Sequence, residues 1–392
     1  MPEYKYLIIG GGMAADAAVK GIRKVDPAGS LGLIGAEKEP PYDRPPLSKA
    51  LWKGKDFESI WRGTQDETVE LHLGSRVNQF DPGARAVTDE KGEEFGYEKL
   101  LLATGGSPRH LPFGGDSVIY YRNVDDFRRL QSLTQSELAF AVIGGGFIGS
   151  EVAAALAMNG QQVSIVFPEA GIGALQFPAD LSAFLNQYYE DHGVAVVPGA
   201  KLEAIEEGHG HVHVVTDAGV LHVEAVVAGI GIQPNIELAE NAGLEVDDGV
   251  VVNPSLQTSD PNVYAAGDVA RFYNPALDRK MRVEHEDNAN TMGEMAGRSM
   301  AGEQVSYDHL PFFYSDLFEL GYEAVGDLDP KLEIVSDWAE PFNKGLVYYI
   351  ENGRVRGVLL WDTWGKVDEA RALIEEAGPF SEAELKGRIA AE

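Results

Sequence analysis

The stretch KYLIIGGGMAADAAVKGI, Lys5 to Ile22, decides the fold. Its opening, Lys5 to Ile9, reads as a short buried strand. Gly10, Gly12 and Ala15 then stand at G-x-G-x-x-G/A spacing directly before a helical pattern. Gly10 permits the tight turn, Gly12 lets a pyrophosphate approach the backbone, and Ala15 lets the helix pack close on the strand. The helix N-terminus then faces the phosphate charge. LGLIGAE follows as a second strand ending in Glu37, 22 residues past Ala15, near the distance at which an acid holds a ribose hydroxyl.

One such motif is weak evidence, because Gly-rich turns also join strands to helices for structural reasons alone. Here the figure recurs. LAFAVIGGGFIGSEVAAALAMNG gives a strand, Gly144-x-Gly146-x-x-Gly149 and a helix, and VSIVFPE ends on Glu169, 20 residues past Gly149. Two copies, each between strand and helix and each followed by an acid, imply two dinucleotide sites, one of which can take a flavin. KLLLATGGSPRHLP (Lys99 to Pro112) reads as the chain leaving the first domain, and VVAGIGIQPN (Val226 to Asn235) as its return. NVYAAGDVA ends a strand in Gly267-Asp268, a turn that can bring N–H groups and a carboxylate to sugar or ribitol hydroxyls. A helix N-cap role for Asp268 is compatible with that.

The expected fold is therefore α/β, with two Rossmann-like dinucleotide-binding domains and a C-terminal α+β domain. One domain spans 1–106 and 232–304, the insert 107–231, and the last domain 305–392. In that last part LVYYIENGRVRGVLLW reads as a hairpin over Asn352-Gly353, and VDEARALIEEAG as an amphipathic helix.

Composition narrows the function. The net charge of −30 disfavours nucleic acid and anionic lipid as partners. No stretch approaches the roughly 18 apolar residues of a membrane span, and no targeting segment precedes the first strand, so a cytoplasmic protein is expected. The chain has no cysteine, which excludes disulfides, thiolate metal sites and thiol redox chemistry. The histidines of GHGHVHVV (His209, His211, His213) would share one strand face. A metal triad is one reading; a solvated strand edge is preferred, because no carboxylate accompanies the pattern, and no metal is expected. PPYDRPPLSK (Pro40 to Lys49) packs four prolines into ten residues, which fixes φ, removes backbone donors and makes a stiff wall.

GGGMAAD, PYDRPPLSK, LLATGG, GGGFIGSE, GIGIQPN and YAAGDVA, in that order, resemble the two-dinucleotide flavoprotein reductases, in the branch of ferredoxin and rubredoxin reductases and apoptosis-inducing factor. The match runs over almost the whole chain. LSKALW, FPE, RVEHEDNA, YSDLFELGYEAVG and KGLVYYI…VRGVLLWD tip it toward the apoptosis-inducing-factor side, as a compact bacterial relative. The resemblance implies FAD held by Gly10, Gly12 and Ala15, with Glu37 on its ribose. It places Arg44, Pro45 and Lys49 at the flavin, Ala103, Thr104 and Gly105 lining its site, Arg122 in contact with the cofactor from the edge of the inserted domain, and Gly267 and Asp268 at the ribityl or phosphate region. For NADH it implies Gly146, Ile148 and Gly149 at the pyrophosphate, Glu169 on the ribose, and Phe147, Gly231, Glu284, His285 and Glu323 around the nicotinamide. Val77 and Arg109 complete the implied cofactor-binding set. Tyr314 falls where the family usually has tryptophan.

Lys49, Glu151, His285, Phe147 and Tyr314 form the implied catalytic group. A cation near the flavin stabilises its electron-rich reduced form, and Glu151 is the family's partner for that lysine, although a first-turn helix acid would look the same. His285 is a nicotinamide contact or proton donor, or a packed histidine at a helix start. Glu169 favours NADH over NADPH, whose extra phosphate a carboxylate repels. Without cysteine, electrons must leave the reduced flavin directly, to a quinone, a small molecule or a redox protein. A ferredoxin or rubredoxin reductase must dock an acidic partner, for which Arg279, Lys280 and Arg282 are the candidate basic cluster. The other class of function is a redox switch, in which NADH drives a long-lived FADH–NAD charge-transfer state and homodimerisation.

Overall fold

The strand Glu3–Ile9 lies parallel between Leu31–Gly35 and Glu94–Leu102, and Leu31–Gly35 is flanked in turn by Glu70–Leu73. Val263–Ala265 adds in parallel beside the C-terminal half of Glu94–Leu102. Leu7, Ile8, Leu33, Leu100, Leu101 and Val263 are completely buried. Strands covered on both faces run apolar continuously rather than alternating, which is why LIIG and LLLA read as they do. The N-terminal half of Glu94–Leu102 instead pairs antiparallel with Ala86–Asp89, which pairs with Val77–Asp81. The helix Met13–Val25 packs on Glu286–Met300, with the closest approach at three glycines. A Cβ added at Gly21, Gly293 or Gly297 would come within 2.2, 2.3 or 2.1 Å of the carbonyl oxygens of Glu294, Ala14 and Ala18.

The computed structural model describes residues 1–208 and 210–391. These fall into two units. Met1–Asp43, Glu58–Ser107 and Gln233–Pro311 make the first, whose sheet is described above; Arg44–Phe57, Pro108–Ile232 and the chain from Phe312 onward make the second. The proline-rich stretch is thus divided between them at Asp43, and the C-terminal segment groups with the insert.

In the second unit five parallel strands run in the order Val194–Pro198, Gln162–Phe167, Ala139–Ile143, Ala225–Ala228, Val118–Tyr120. A three-stranded antiparallel meander, Leu202–Glu207, Val212–Thr216 and Gly219–Val223, sits beside them in sequence. The C-terminal segment builds a five-stranded antiparallel sheet in the order Phe312–Leu317, Leu320–Gly326, Arg354–Trp361, Lys344–Glu351, Glu333–Glu340. Its expected hairpin turn is present. Asn352 and Gly353 both take positive φ, +52° and +75°, as a two-residue type I′ turn requires. The helix Val367–Glu375 buries Ala370, Leu373 and Ile374, one face at i, i+3, i+4 spacing.

The two strands expected to end on Glu37 and Glu169 stop two residues earlier, at Gly35 and Phe167. At the second, Pro168 has no N–H for the ladder. Both acids therefore stand on the turn past the strand.

Candidate functional site: two glycine cradles and a buried lysine–glutamate pair

In the first unit Gly10 sits at φ +129°, and a Cβ there would lie 2.0 Å from the Ala103 carbonyl oxygen, so the turn passes under the neighbouring strand only as glycine. The Ala103 N–H donates to the Ile9 carbonyl at 2.8 Å. Gly12 is the N-cap of Met13–Val25, and Ala15 is completely buried behind it. Gly267, at φ +77°, comes against Ala14: its Cβ would sit 2.8 Å from that methyl. The turns after three parallel strands thus meet at the carboxyl end of the sheet, where open α/β sheets bind dinucleotides. Asn235 links two further sequence motifs there. Thr104 Oγ1 donates to its carbonyl at 2.9 Å, its Nδ2 donates to the Thr104 carbonyl at 2.8 Å, and its N–H donates to the Gly105 carbonyl at 3.0 Å.

Glu37 is half-buried and accepts a 2.5 Å hydrogen bond from the Tyr42 hydroxyl. Asp268 lies within the 3₁₀ turn Gly267–Val269, whose N-cap is Ala266, so the N-cap reading is replaced by a place inside the turn. Its carbonyl accepts from Arg282, which also pairs with Glu284 at 2.6 Å. His285 is the N-cap of Glu286–Met300. Val77 opens the strand Val77–Asp81 with its side chain in the core. Lys280 has Glu245 at 3.9 Å. The Lys280 and Arg282 members of the expected basic cluster therefore carry acidic neighbours.

Sequence spacing missed Asp16, completely buried in the first turn of the first helix. It accepts from Arg62 Nε at 2.6 Å, Thr64 Oγ1 at 2.7 Å and Lys20 Nζ at 3.0 Å. Arg62 also reaches Asp43 at 2.5 Å and Asn290 at 2.8 Å. Burial works against the Arg62 charge, but the bond to Asp16 and the charges of Asp16 and Asp43 outweigh it and raise its pKa. The network anchors the helix whose start forms the first cradle. Apart from Lys20, the partners of Asp16 come from more than forty residues away, so no local pattern announces the network.

In the second unit the three glycines of the second motif separate by role. A Cβ on Gly144 (φ +110°) would meet the Gly229 carbonyl oxygen at 2.5 Å, and one on Gly149 the Gly144 carbonyl oxygen at 1.9 Å. A Cβ on Gly146 would meet nothing within 4 Å. The outer glycines serve chain packing, while the middle one opens on clear space at the N-cap of Phe147–Met158. That is the place where a pyrophosphate can approach the backbone N–H groups of a helix start. Glu169 is half-buried past the next strand, and its carboxylate makes no hydrogen bond or ion pair among the described residues. The Arg109 N–H donates to the Gly231 carbonyl at 2.9 Å, with Gly231 at φ +89°. Phe147 packs edge-on to Phe313 at 5.2 Å, and Ile148 is exposed.

Lys49 stands between two short 3₁₀ turns, Pro45–Ser48 and Ala50–Lys53. Pro45 opens the first turn, where its fixed φ suits the start of a helix. The turn is tied down at the Leu47 carbonyl, which accepts from Trp52 Nε1 and the Tyr121 hydroxyl. Arg44 Nη1 donates to the Arg122 carbonyl at 3.1 Å. So held, Lys49 Nζ lies 2.7 Å from Glu151 Oε1, with the two side chains only 10% and 2% exposed. Ser48 Oγ donates to Glu151 Oε2 at 2.5 Å and Ser315 Oγ to Oε1 at 2.6 Å. The carboxylate thus has a cation and two hydroxyl donors, the conditions under which a buried ion pair is tolerated. Glu151 is no ordinary solvent-facing first-turn acid. Burial first, and the Glu151 charge second, push the phenols of Tyr189 and Tyr322 well up, so both stay neutral. Lys49 Nζ also lies 5.4 Å from the Tyr314 ring centroid, within cation–π range. Tyr314 faces Glu323 across the sheet, and Glu323 accepts from the Gly365 N–H at 2.9 Å. Ser48 and Ser315 were not legible from the sequence, because the second comes from 164 residues away.

Two Gly-rich cradles, each followed by an acid past the second strand, define a two-dinucleotide flavoprotein reductase. Residues 4–293 match the family model of the pyridine nucleotide-disulphide oxidoreductases, and residues 296–341 that of the C-terminal part of mitochondrion-associated apoptosis-inducing factor. The chain belongs to the pyridine nucleotide-disulphide oxidoreductase family, on its apoptosis-inducing-factor-like side near the ferredoxin reductases. It is 36% identical to apoptosis-inducing factor 1, mitochondrial, of Dictyostelium discoideum, over 95% of this chain and 78% of that protein. It is 35% identical to the ferredoxin–NAD(+) reductase component of the anthranilate 1,2-dioxygenase system of Burkholderia cepacia, over 82% of this chain and 81% of the other. Its fold is similar to that of putidaredoxin reductase in covalent complex with putidaredoxin, with a TM-score of 0.91, 30% identity and coverage of 98% and 95%.

The protein is accordingly a flavoprotein NAD(P)H oxidoreductase with FAD and a nicotinamide dinucleotide as its cofactors. The cradles at Gly10–Ala15 and Gly146–Gly149 fit those groups. Among the described residues no helix is long and apolar enough to cross a membrane.

Proposed function

We propose that the protein oxidises NADH through FAD and passes the electrons directly to an acceptor, without any thiol relay. Bound together, the two cofactors supply hydride transfer and flavin redox chemistry, and the protein supplies placement and electrostatics. FAD is assigned to segments 1–106 and 232–304 and NADH to 107–231, with 305–392 as a third domain. Gly10, Gly12, Ala15, Glu37 and Asp268 hold the first dinucleotide, and Gly146, Gly149 and Glu169 the second. Phe147, His285 and Tyr314 are assigned to the nicotinamide side.

The observation that carries the reading is the Lys49–Glu151 pair, fixed by Ser48 and Ser315 in a chain with no cysteine. Glu151 and the stiff turn restrain Lys49, so its charge is preorganised to stabilise electron density on a reduced flavin. The Glu169 carboxylate, which makes no hydrogen bond or ion pair among the described residues, supports NADH as the preferred donor, since a carboxylate there can accept from ribose hydroxyls. Glu169→Arg should lower kcat/KM for NADH by about tenfold or more, the worth of charge-assisted hydrogen bonds, and narrow the gap to NADPH. Steady-state kinetics with both donors measures this, and an unchanged preference would remove Glu169 from the ribose.

Two fates are open to the electrons. The likeness to a reductase solved with its redox-protein partner supports an electron-transfer enzyme. The C-terminal match to apoptosis-inducing factor supports a second reading, an NADH-responsive switch that holds a charge-transfer state and dimerises. Anaerobic NADH reduction, with size-exclusion chromatography before and after and a panel of quinone, small-molecule and ferredoxin acceptors, separates them. Rapid turnover with one acceptor class and no change of size supports the enzyme. A persistent long-wavelength band with dimerisation supports the switch.

A further inference from the structure

We propose that the antiparallel meander of the second unit carries a site for a divalent transition-metal ion of the zinc and copper class, with His211, His213 and His222 as ligands. Sequence spacing pointed to a row along one strand, of which His209 lies outside the described residues. The structure instead adds a histidine from across the hairpin. In the register of Val212–Thr216 against Gly219–Val223, His213 is directly opposite His222, and directly opposed residues share a face. Strand alternation sends Ile205, Val212, Val214 and Val223 into the core beneath. The histidines are left on the outer face, His211 and His213 half-buried and His222 exposed.

The three imidazoles form one cluster. His211 and His213 stack nearly parallel with centroids 4.9 Å apart, and His222 meets His213 at 4.6 Å and 74°. One ring nitrogen from each lies within 4.8 Å of the other two. With metal–nitrogen bonds of about 2.0–2.1 Å, nitrogens on one tetrahedral ion stand roughly 3.4 Å apart. Rotation of surface side chains can close that difference while the strands stay fixed.

Two features set this cluster apart from a solvated row of histidines. Among the described residues, His213 Nε2 is shielded from solvent and has no hydrogen-bond partner, an arrangement that is unfavourable unless something bonds the nitrogen. The side of the cluster next to it is kept clear by Gly208. A Cβ there would come 3.1 Å from His213 Nε2 and 3.2 Å from His211 Cδ2. The Gly208 N–H donates to the His211 carbonyl at 2.8 Å. Glu206 opposes His213 on its other side in the register, which places an acid on the same face. Neutral imidazoles beside an acid suit zinc, nickel and copper rather than magnesium or calcium, with copper(II) bound most tightly. Three histidines leave a fourth position for water or an exogenous ligand.

The test uses the FAD-loaded full chain without a histidine tag, treated with chelator and dialysed. Calorimetric titration with Zn²⁺ should show one ion per chain, and Cu²⁺ should give an electron paramagnetic resonance spectrum with splitting from imidazole nitrogens. His222→Gln, at an exposed strand position, should keep the parent's circular dichroism and NADH oxidation. It should weaken Zn²⁺ binding by about tenfold or more, since even loss of a metal ligand's outer partner has that effect. His213→Gln should do the same, and if that variant does not fold, His222→Gln decides alone. No saturable binding, or binding of unchanged affinity in His222→Gln, would overturn the proposal.

Discussion

At the scale of single residues, the three glycines of the second motif give a sharp contrast. A Cβ on Gly149 has a carbonyl oxygen at 1.9 Å, while one on Gly146 has nothing within 4 Å. Gly149→Ala should therefore destabilise the chain, by about 1–3 kcal/mol or more, through overpacking. Gly146→Ala should cost no more than about 1 kcal/mol, as substitutions at an N-cap do. It should nonetheless raise the KM for NADH by roughly tenfold, because the added methyl occupies the approach to the helix start. Thermal melts and steady-state kinetics on the pair separate the two roles; equal loss of stability in both would contradict them. The glycines and the acids after them were legible because their chemistry is local, set by a turn and one strand length. The Lys49–Glu151 partnership came from family resemblance. Ser48, Ser315 and the Asp16–Arg62 network could not be read at all, because each depends on chain segments that only the tertiary fold brings together.

At the scale of elements, the close crossing of Met13–Val25 on Glu286–Met300 is what positions the first cradle. Gly293 lets the Ala14 carbonyl approach to a distance that no methyl group would allow. Gly293→Ala should push the start of the first helix away from the sheet, costing about 1–3 kcal/mol. FAD should be lost at a lower temperature than in the parent, which flavin fluorescence during a melt would show; a coincident release temperature would contradict this. The parallel strands and the Asn352-Gly353 hairpin were legible from period and turn chemistry. The ends of the two strands before Glu37 and Glu169 were less so, since apolar composition continues past the last ladder bond. The proline run reads in sequence as one wall. In the structure Pro45 instead opens a 3₁₀ turn, and the side chains of Trp52 and Tyr121 fasten that turn through the Leu47 carbonyl.

At the scale of the whole molecule, charge and cysteine content constrain the acceptor more than any single site does. A net charge of −30 slows encounter with an acidic redox protein, and the acidic neighbours of Lys280 and Arg282 leave little compensating patch at those residues. A quinone or other small acceptor meets no such barrier. The absence of cysteine removes the thiol relay from which the family takes its name, so whatever accepts the electrons must take them from the flavin itself. The most direct test is a single anaerobic mixing of FAD-loaded protein with one equivalent of NADH, followed by an oxidised acceptor. If electrons pass directly from NADH through FAD to the acceptor, the visible absorbance of the flavin bleaches fully on NADH addition and more slowly with NADH deuterated at the transferred position. Reoxidation should then follow acceptor concentration, with no further component. A flavin left oxidised by NADH, or one that bleaches but delivers no electrons unless a thiol carrier is supplied, would contradict it.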